Sequence, residues 1–584
     1  MGYFIKKTRR SNGDLYLQIY DSYYSKEKRK NTNRSVMSLG LLSDLKKDGE
    51  DDAGCISRLT LEAKEFQRKK ASEKPEKIGD EEEVFNIGYF LPKSVADSME
   101  IGREFDLIAH GTRVRYSPWK LLCDLAFARI VEPCSKRKTV AEIFPAMYGL
   151  RPETRDQVYD GLPLLGENYK DAIEIINEGV SKIHKIDLSK VFFDCTNFYF
   201  EIDYPDQFRK PGPSKEMRPN PLVGMGLMLD RDCIPVAAEF YPGNESEKPY
   251  LPKLTDEVQR RSGNKPVHIV EVADKGLNCA DNIIIAKARK NGYIFSKSMK
   301  AMSEKDYAWA FGEDGWTEVL DEQGNLKFRY KEQMVMADYS YRADDGRTVK
   351  VSLPEKRVVS YNPSLRRKQL REIAKLEEKA RNASLATVRR DDMGPSAKYA
   401  KAESVDRKTG EMTGKDIVVT VNEDKLEGDR RLAGYNMLVS SEINADAREI
   451  YDVYHCLTEI EHTFRVMKSQ LDARPIFMST ENSIKGHLLT CYFAVVLLRL
   501  TEKYILDGSF GIEEVIDYVK KYKIIRWTGG DYRNLILKHQ AAIGDYLEEY
   551  HSLMVNNKKL RPEDLDGIMS FRCPVLSDGK AKKR

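Results

Sequence analysis

Apolar and polar residues alternate near the start of the chain. After the Asn12-Gly13 turn signal, Leu15, Leu17 and Ile19 alternate with Tyr16, Gln18 and Tyr20, the period of a half-buried strand that follows a hairpin turn. Residues 1 to about 40 are therefore expected to form a small antiparallel sheet. Ile56, Leu59, Ala63 and Phe66 then keep helical spacing and predict a helix from about 55 to 70. No apolar period survives in the charged stretch "KASEKPEKIGDEEE", which reads as a linker. From about 95 to 185 the pattern is helical. Ser117 is placed to cap and Pro118 to open one helix. Tyr169, Ala172, Ile176, Val180 and Ile183 form the buried stripe of another, from about 167 to 184.

The period then shortens. "KVFFDCTNFYF" (190–200) reads as a strand carrying Asp194, residues 222–244 as two strands about the Asp230-Arg231-Asp232 turn, 248–262 as a polar helix, and "VHIVEVADKG" as a buried strand ending in Asp274. Residues 300–440 hold irregular strands, a basic helix near 364–382 and the polar stretch "RRDDMGPSAKYAKAES". "YNMLVSS" (435–441) is strand-like. Beyond it, Ile450, Val453, Leu457, Ile460, Phe464, Met467 and Leu471 keep three-four spacing and predict one helix with a single buried stripe.

Composition narrows the class without naming it. The 584 residues suffice for about three to five domains or lobes, and 41% hydrophobic with 32% charged residues is an ordinary globular balance. A net charge of +4 is too small to imply nucleic acid by itself. Its distribution says more: residues 1–36 hold nine Lys/Arg, among them Lys6, Lys7, Arg9, Arg10, Lys28, Arg29 and Lys30, against three acids. The nine cysteines include no Cys-x-x-Cys pair, which offers no zinc framework and suits core thiols in a reducing compartment. The opening "MGYFIKKTRR" lacks an apolar signal core, and the longest apolar run, "CYFAVVLL", falls short of the roughly 20 residues that cross a bilayer. A cytoplasmic protein without a membrane partner is expected.

Three acids stand out against this background. Asp194 follows Val191, Phe192 and Phe193, which demand burial, and a buried carboxylate needs a partner. Asp274 closes another apolar strand. Glu461 sits beside the buried stripe of its helix, and Tyr454, Glu461 and Lys468, each seven apart, line up within about 20° per step along one edge of that stripe. The same positions also fit capping aspartates and an amphipathic helix whose boundary charges reach water. Three carboxylates from two strands and a helix make an oxygen-only set, which suits Mg²⁺ or Mn²⁺ rather than zinc.

Taken together these motifs resemble the DDE transposases of the insertion-sequence-4 class. Their last acid lies in a Tyr-x2-Arg-x3-Glu-x6-Lys helical signature; here Tyr454, Glu461 and Lys468 match, and Leu457 stands at the arginine position, with Arg465 one turn past the acid as a substitute. "FFDCTNFYF", "GMGLMLDRDCIPVAAEFYPGN", "VADKG" and "IEHTFRVMKSQLDARPIF" are similar to the family's other core pieces, over roughly residues 95–500. The resemblance implies an α/β fold: an RNase H-like, retroviral-integrase-type core with a mainly β insertion domain. The insertion falls where the sequence gap between Asp274 and Glu461 is more than twice that between Asp194 and Asp274. The expected organisation is a basic DNA-binding sheet and linker (1–90), a helical domain (91–186), two core halves (187–298 and 435–545) around the insertion (299–434), and a C-terminal tail (546–584).

The resemblance further implies that Asp194, Asp274 and Glu461 are catalytic and hold two divalent ions, with Lys468, Tyr454 and Arg465 on DNA phosphate. Trp309 and Trp316 are candidates for stacking on a flipped base, though both also suit a core. The implied reaction is cleavage at the ends of a mobile element and joining of the 3′ ends to target DNA, with hairpins on the transposon ends as in relatives. A homodimer pairing the two ends follows. The N-terminal basic residues, interleaved with Tyr16, Tyr20, Tyr23 and Tyr24, are the first choice for binding terminal repeats. A metal-dependent nuclease with no joining step, a DNA-binding protein without catalysis and a scaffold remain as alternatives.

Overall fold

The computed structural model describes residues 3–25, 30–72, 83–202, 204–212, 220–261, 267–342, 346–384, 396, 398–405, 416–474, 476–527 and 530–576. It divides into two units, Met1–Glu82 and Glu83–Arg584. In the first, β1 (Tyr3–Arg9), β2 (Leu15–Ser25) and β3 (Lys30–Leu41) form an antiparallel sheet in that order, as the alternation predicted. Gly13, at φ 88°, lets the chain double back between β1 and β2, where the Arg10 amide donates to the Asp14 carbonyl at 2.9 Å. Leu17 points into a small core with Leu42, Cys55 and Leu59, so helix α1 (Asp52–Ser72) covers that face of the sheet.

The second unit runs through β4 (Val84–Asn86), α2 (Pro118–Val131), α3 (Tyr169–Ile183), β5 (Lys190–Tyr199), β6 (Leu222–Leu229), β7 (Pro235–Pro242), α4 (Tyr250–Arg261), β8 (Val270–Ala273) and β9 (Gly292–Lys297). There follow β10 (Thr317–Leu320), β11 (Leu326–Arg342), β12 (Thr348–Tyr361), α5 (Pro363–Ser384), β13 (Ala400–Val405), β14 (Asp416–Val421) and β15 (Tyr435–Ser440). Last come α6 (Ala447–His455), α7 (Leu457–Arg465), α8 (Glu481–Leu500), α9 (Ile512–Lys521), β16 (Lys523–Arg526), β17 (Tyr532–Asn534) and β18 (Lys559–Leu560). Ser117 caps α2 by accepting from the Lys120 amide, as expected.

One nine-stranded sheet organises this unit, in the order β10-β11-β12-β15-β9-β8-β5-β6-β7. β5, β8 and β9 are mutually parallel neighbours, and the other pairings are antiparallel. Strand alternation sends Phe192, Val272, Ile294 and Leu438 to one face, under α2, α7 and α8. It sends Val191, Phe193, Ala273 and Phe295 to the other, under Leu251, Leu254 and Val258 of α4. Helices thus cover both faces, which is why the parallel strands read as nearly continuous apolar runs.

Several expectations need correction. β10 to β12 do not form a sheet of their own: they prolong the core sheet through β15, because the edge of β9 is open for antiparallel pairing. Residues 546–576, expected as a tail, include β18, which joins a four-stranded sheet with β17, β16 and β4, and a helix at Pro562–Met569; residues 577–584 lie outside the described residues. The helix predicted through 450–471 is broken. Cys456 ends α6, the Glu459 amide turns back to the Cys456 carbonyl, and α7 passes into a π turn at Val466–Gln470, closed by the Leu471 amide on the Val466 carbonyl at 2.9 Å. Cys456 is exposed rather than a core thiol, and all nine cysteines are free.

Helix α8 and its continuation to Ile505 are, by length and composition, apolar enough to cross a bilayer, a longer apolar span than the sequence suggested. Of its most apolar stretch 94% is buried inside the protein. Packing there is close enough to require glycine: a Cβ on Gly486 would stand 2.1 Å from the Leu162 carbonyl, and one on Gly166 1.8 Å from that of Asn482.

Candidate active site

The site forms at the carboxyl ends of the parallel strands, the usual place for ligands in an open α/β sheet. β5 and β8 pair in parallel with Phe193 opposite Ala273. The next residue on each chain is an aspartate, so the register carries Asp194 and Asp274 to the same end of neighbouring strands, on the face shared by Phe192 and Val272. The same register sets Ser296 of β9 beside Asp274.

Helices α6 and α7 bring the remaining groups. Ile450, Leu457, Ile460 and Phe464 are buried on that same face of the sheet, which fixes the helices over it. Glu461, one residue past the buried Ile460, is exposed, and with Asp274 and Tyr454 it lines a cleft of about 610 Å³. The Tyr454 hydroxyl donates to Asp274 Oδ1 at 3.3 Å. Burial, then the charge of Asp274, holds the Tyr454 phenol well above its ordinary pKa, so it stays protonated and able to donate. Lys468, in the π turn, reaches over β5, with Nζ 5.7 Å from the Phe198 ring centre. π turns often mark functional segments.

The rest of the cleft comes from the segment after β9 and from α5. Leu365, Gln369, Glu372, Ile373 and Leu376 form one stripe of α5 along its wall, and Gln369 is fixed there by accepting from the Gly434 amide at 2.7 Å. Lys275, Lys297, Lys300 and Lys398 line it too. Lys300 and Lys398 both hold Asp429: burial works against its charge, but the two ammonium groups and the Tyr399 hydroxyl outweigh that and keep its carboxyl down at about 2. Burial, then Arg357, lowers Lys297.

The structure thus brings Asp194 and Asp274 to the same end of neighbouring strands, and Asp274 to Tyr454 and Glu461. It does not gather them into a ready-made metal cage: among the described residues no three His, Cys, Asp or Glu side chains form a group that could hold an ion, and Asp194 is not among the residues lining the cleft. The donor chemistry itself, carboxylate oxygens only, fits Mg²⁺ or Mn²⁺.

Other expected residues lie elsewhere. Arg465 is exposed, faces Glu513 of α9 at 3.6 Å and is not among the residues lining the cleft. Leu457 is itself buried in the core. Trp309 and Trp316 are half-buried in a small cluster with Met299, Val359 and Met437. Trp316 Nε1 donates to the Gly312 carbonyl at 2.9 Å, and Arg329 and Lys331 lie over its ring.

In the N-terminal unit the basic residues divide between the two faces. Lys6 pairs with Gln18 and lies over the Tyr20 ring, and Arg10 lies over Tyr16, on the side away from α1. Lys7, opposite Leu17, and Arg9, opposite Leu15, belong to the α1 side at its exposed rim. Lys30 opens β3 and is exposed. Lys28, Arg29 and the Tyr24 side chain lie outside the described residues.

Sequence reasoning missed Ser296, Lys297 and Gln369. "GYIFSKS" is a short apolar strand ending in polar residues, the same signal that exposed Asp274, and would have yielded the first two. Gln369 becomes visible only when α5 folds against the cleft.

No curated protein matches the chain. It is similar to a solved structure, a cryo-EM structure of a piggyBac transposase synaptic complex with hairpin DNA, at 10% identity over 85% of this chain and 87% of that one, with a TM-score of 0.31, a likeness too slight to carry an argument. Residues 224–497, just under half of the chain and including Asp274, Tyr454, Glu461 and Lys468 but not Asp194, match the family described as the transposase DDE domain.

Proposed function

We propose that the protein is a DNA transposase that cuts DNA at the ends of a mobile element and joins the freed 3′ ends to target DNA. The observation that carries this reading is the parallel register that carries Asp194 and Asp274 to the same end of neighbouring strands, with Glu461 and Tyr454 on the adjoining cleft, inside or next to the stretch that matches a transposase DDE domain. The strand order β9-β8-β5-β6-β7, with β5, β6 and β7 antiparallel and β5, β8 and β9 parallel, supports an RNase H-like core. The segment from 299 to 434 is then an insertion that walls the cleft with α5.

Each residue has a part. Mg²⁺ or Mn²⁺, held by Asp194, Asp274 and Glu461, would supply the Lewis acidity that activates a water or 3′-hydroxyl and steadies the leaving oxygen. Like-charged carboxylates repel, so these three come together only with a countercharge. Tyr454 orients Asp274 through its hydroxyl. Lys468 offers a point charge to a phosphate oxygen. Lys275 and Lys297 make the cleft receptive to a phosphodiester backbone.

The open face of the N-terminal sheet, with Phe4, Lys6, Tyr16 and Tyr20, is the proposed reader of the terminal repeats. Two copies on paired ends, hairpin-ended transposon DNA and a cytoplasmic setting belong to the same reading. A nuclease using the same acids would stop after cleavage. The test is strand transfer with pre-cleaved ends: joined product supports the transposase, and cleavage without joining under any condition identifies the nuclease.

A further inference from the structure

A hollow of about 100 Å³ lies between the end of α2, the turn after it, the stretch that follows the π turn, and α8. Its wall carries three nitrogen bases that the proposed chemistry does not use: Arg129, Lys136 and His487, only 7%, 3% and 4% exposed. Arg129 Nη1 reaches the backbone carbonyls of Leu471 and Asp472, each at 3.5 Å, and Lys136 Nζ lies 3.5 Å from His487 Nδ1. Neither cation pairs with a carboxylate among the described residues. Asp472 also lines the hollow, with its side chain exposed.

Burying cations without a countercharge is costly. Burial, then the neighbouring Arg129, pushes Lys136 down to about 7, and burial, then Lys136, drives His487 well below its ordinary value. An anion seated there would restore the missing charge. The space is several times what one water needs, and it admits a phosphate group. Around the same hollow stand Phe477 and Tyr159, 71% and 44% exposed. An aromatic face in water beside a buried cationic seat is the combination that holds unpaired nucleic acid strands.

We propose that this hollow seats one backbone phosphate of an unpaired DNA strand, with the adjoining base laid on Phe477 and flanked by Tyr159. The proposal rests on the transposase reading and adds a strand contact outside the cleft. The seat is coupled to the proposed active site through the backbone: Leu471, whose carbonyl accepts from Arg129, closes the π turn that carries Lys468.

The test uses the full-length protein in chelator, titrated by anisotropy with a labelled oligothymidylate at several salt concentrations. Phe477→Ala, an exposed position that leaves folding intact, should weaken binding about tenfold. Lys136→Met should weaken it comparably and lower the salt slope by about 0.7, with a melting temperature equal to or above wild type because a buried unpaired charge is gone. Inorganic phosphate should compete with the oligonucleotide. Wild-type affinity in Phe477→Ala overturns the proposal, as does phosphate raising the melting temperature while neither variant alters strand binding, which would mark a free-anion site. Metal-dependent cleavage of end DNA is followed in parallel. Cleavage with unchanged variant binding sinks the strand seat and spares the transposase; weakened variant binding without any cleavage does the reverse.

Discussion

The hydroxyl of Tyr454 donates to Oδ1 of Asp274 at 3.3 Å, tying α6 to the end of β8 across 180 positions of sequence. The contact joins the helical signature to the strand-borne acid, and it sits where the chain leaves the core sheet and meets the cleft. Tyr454→Phe keeps the ring and loses only this donor. Stability should stay within about 1 kcal/mol of wild type, whereas cleavage should fall about tenfold in kcat with KM little changed. Equal activity in the variant would show that the hydroxyl does not position Asp274.

Glu271 stands two residues before Ala273 on β8, only 1% exposed, and burial raises its carboxyl to about 7, the Thr255 hydroxyl opposing in part. A folded-state pKa above the unfolded 4.5 means that the native protein holds the proton more tightly, so stability falls as pH rises from 4.5 to 7 and stays low above. Glu271→Gln should therefore match wild type near pH 4 and be up to about 3 kcal/mol more stable at pH 8. Denaturant unfolding at both pH values checks this; a gap that does not change with pH contradicts it.

Leu457, at the position where the resembled family carries arginine, is 7% exposed beside Ile460 and Phe464. Leu457→Ala should cost about 3 kcal/mol, and Leu457→Arg more, since it buries an unpaired charge. Restoring the family residue should thus lower the melting temperature without raising cleavage. A stable and more active Leu457→Arg protein would refute the core assignment.

The N-terminal unit has its own core of Leu17, Leu42, Cys55 and Leu59. A protein lacking residues 1–82 should melt with the remaining unit unchanged and should lose protection of the terminal repeats in footprinting. Footprints as in the full chain would remove the sheet from end recognition.

Much of the fold could be read from periodicity, because its elements are strongly patterned. The N-terminal alternation, the stripe of α3 and the apolar run before Asp274 each admit one packing solution. What escaped were features set by tertiary contact. Nothing in the sequence near 317–361 says that those strands continue the core sheet, since that depends on the open edge of β9. The break at Cys456 and the π turn after Arg465 were hidden by an unbroken three-four spacing, because apolar spacing reports which side is buried, not how the backbone bonds. At the site, the two aspartates and Glu461 were legible as carboxylates adjoining apolar runs. Arg129, Lys136 and His487 were not, because three bases scattered over more than three hundred residues carry no local signal.

The central claim is that Asp194, Asp274 and Glu461 act as one divalent-ion site. The most direct measurement is cleavage of DNA bearing the element's ends, with Mg²⁺ and with chelator, by wild type and by Asp194→Ala, Asp274→Ala and Glu461→Ala. The account predicts cleavage by wild type with Mg²⁺ alone, and a loss of at least about a thousandfold in every variant at unchanged end binding. Full activity in any one of the three, or cleavage that persists in chelator, would contradict it.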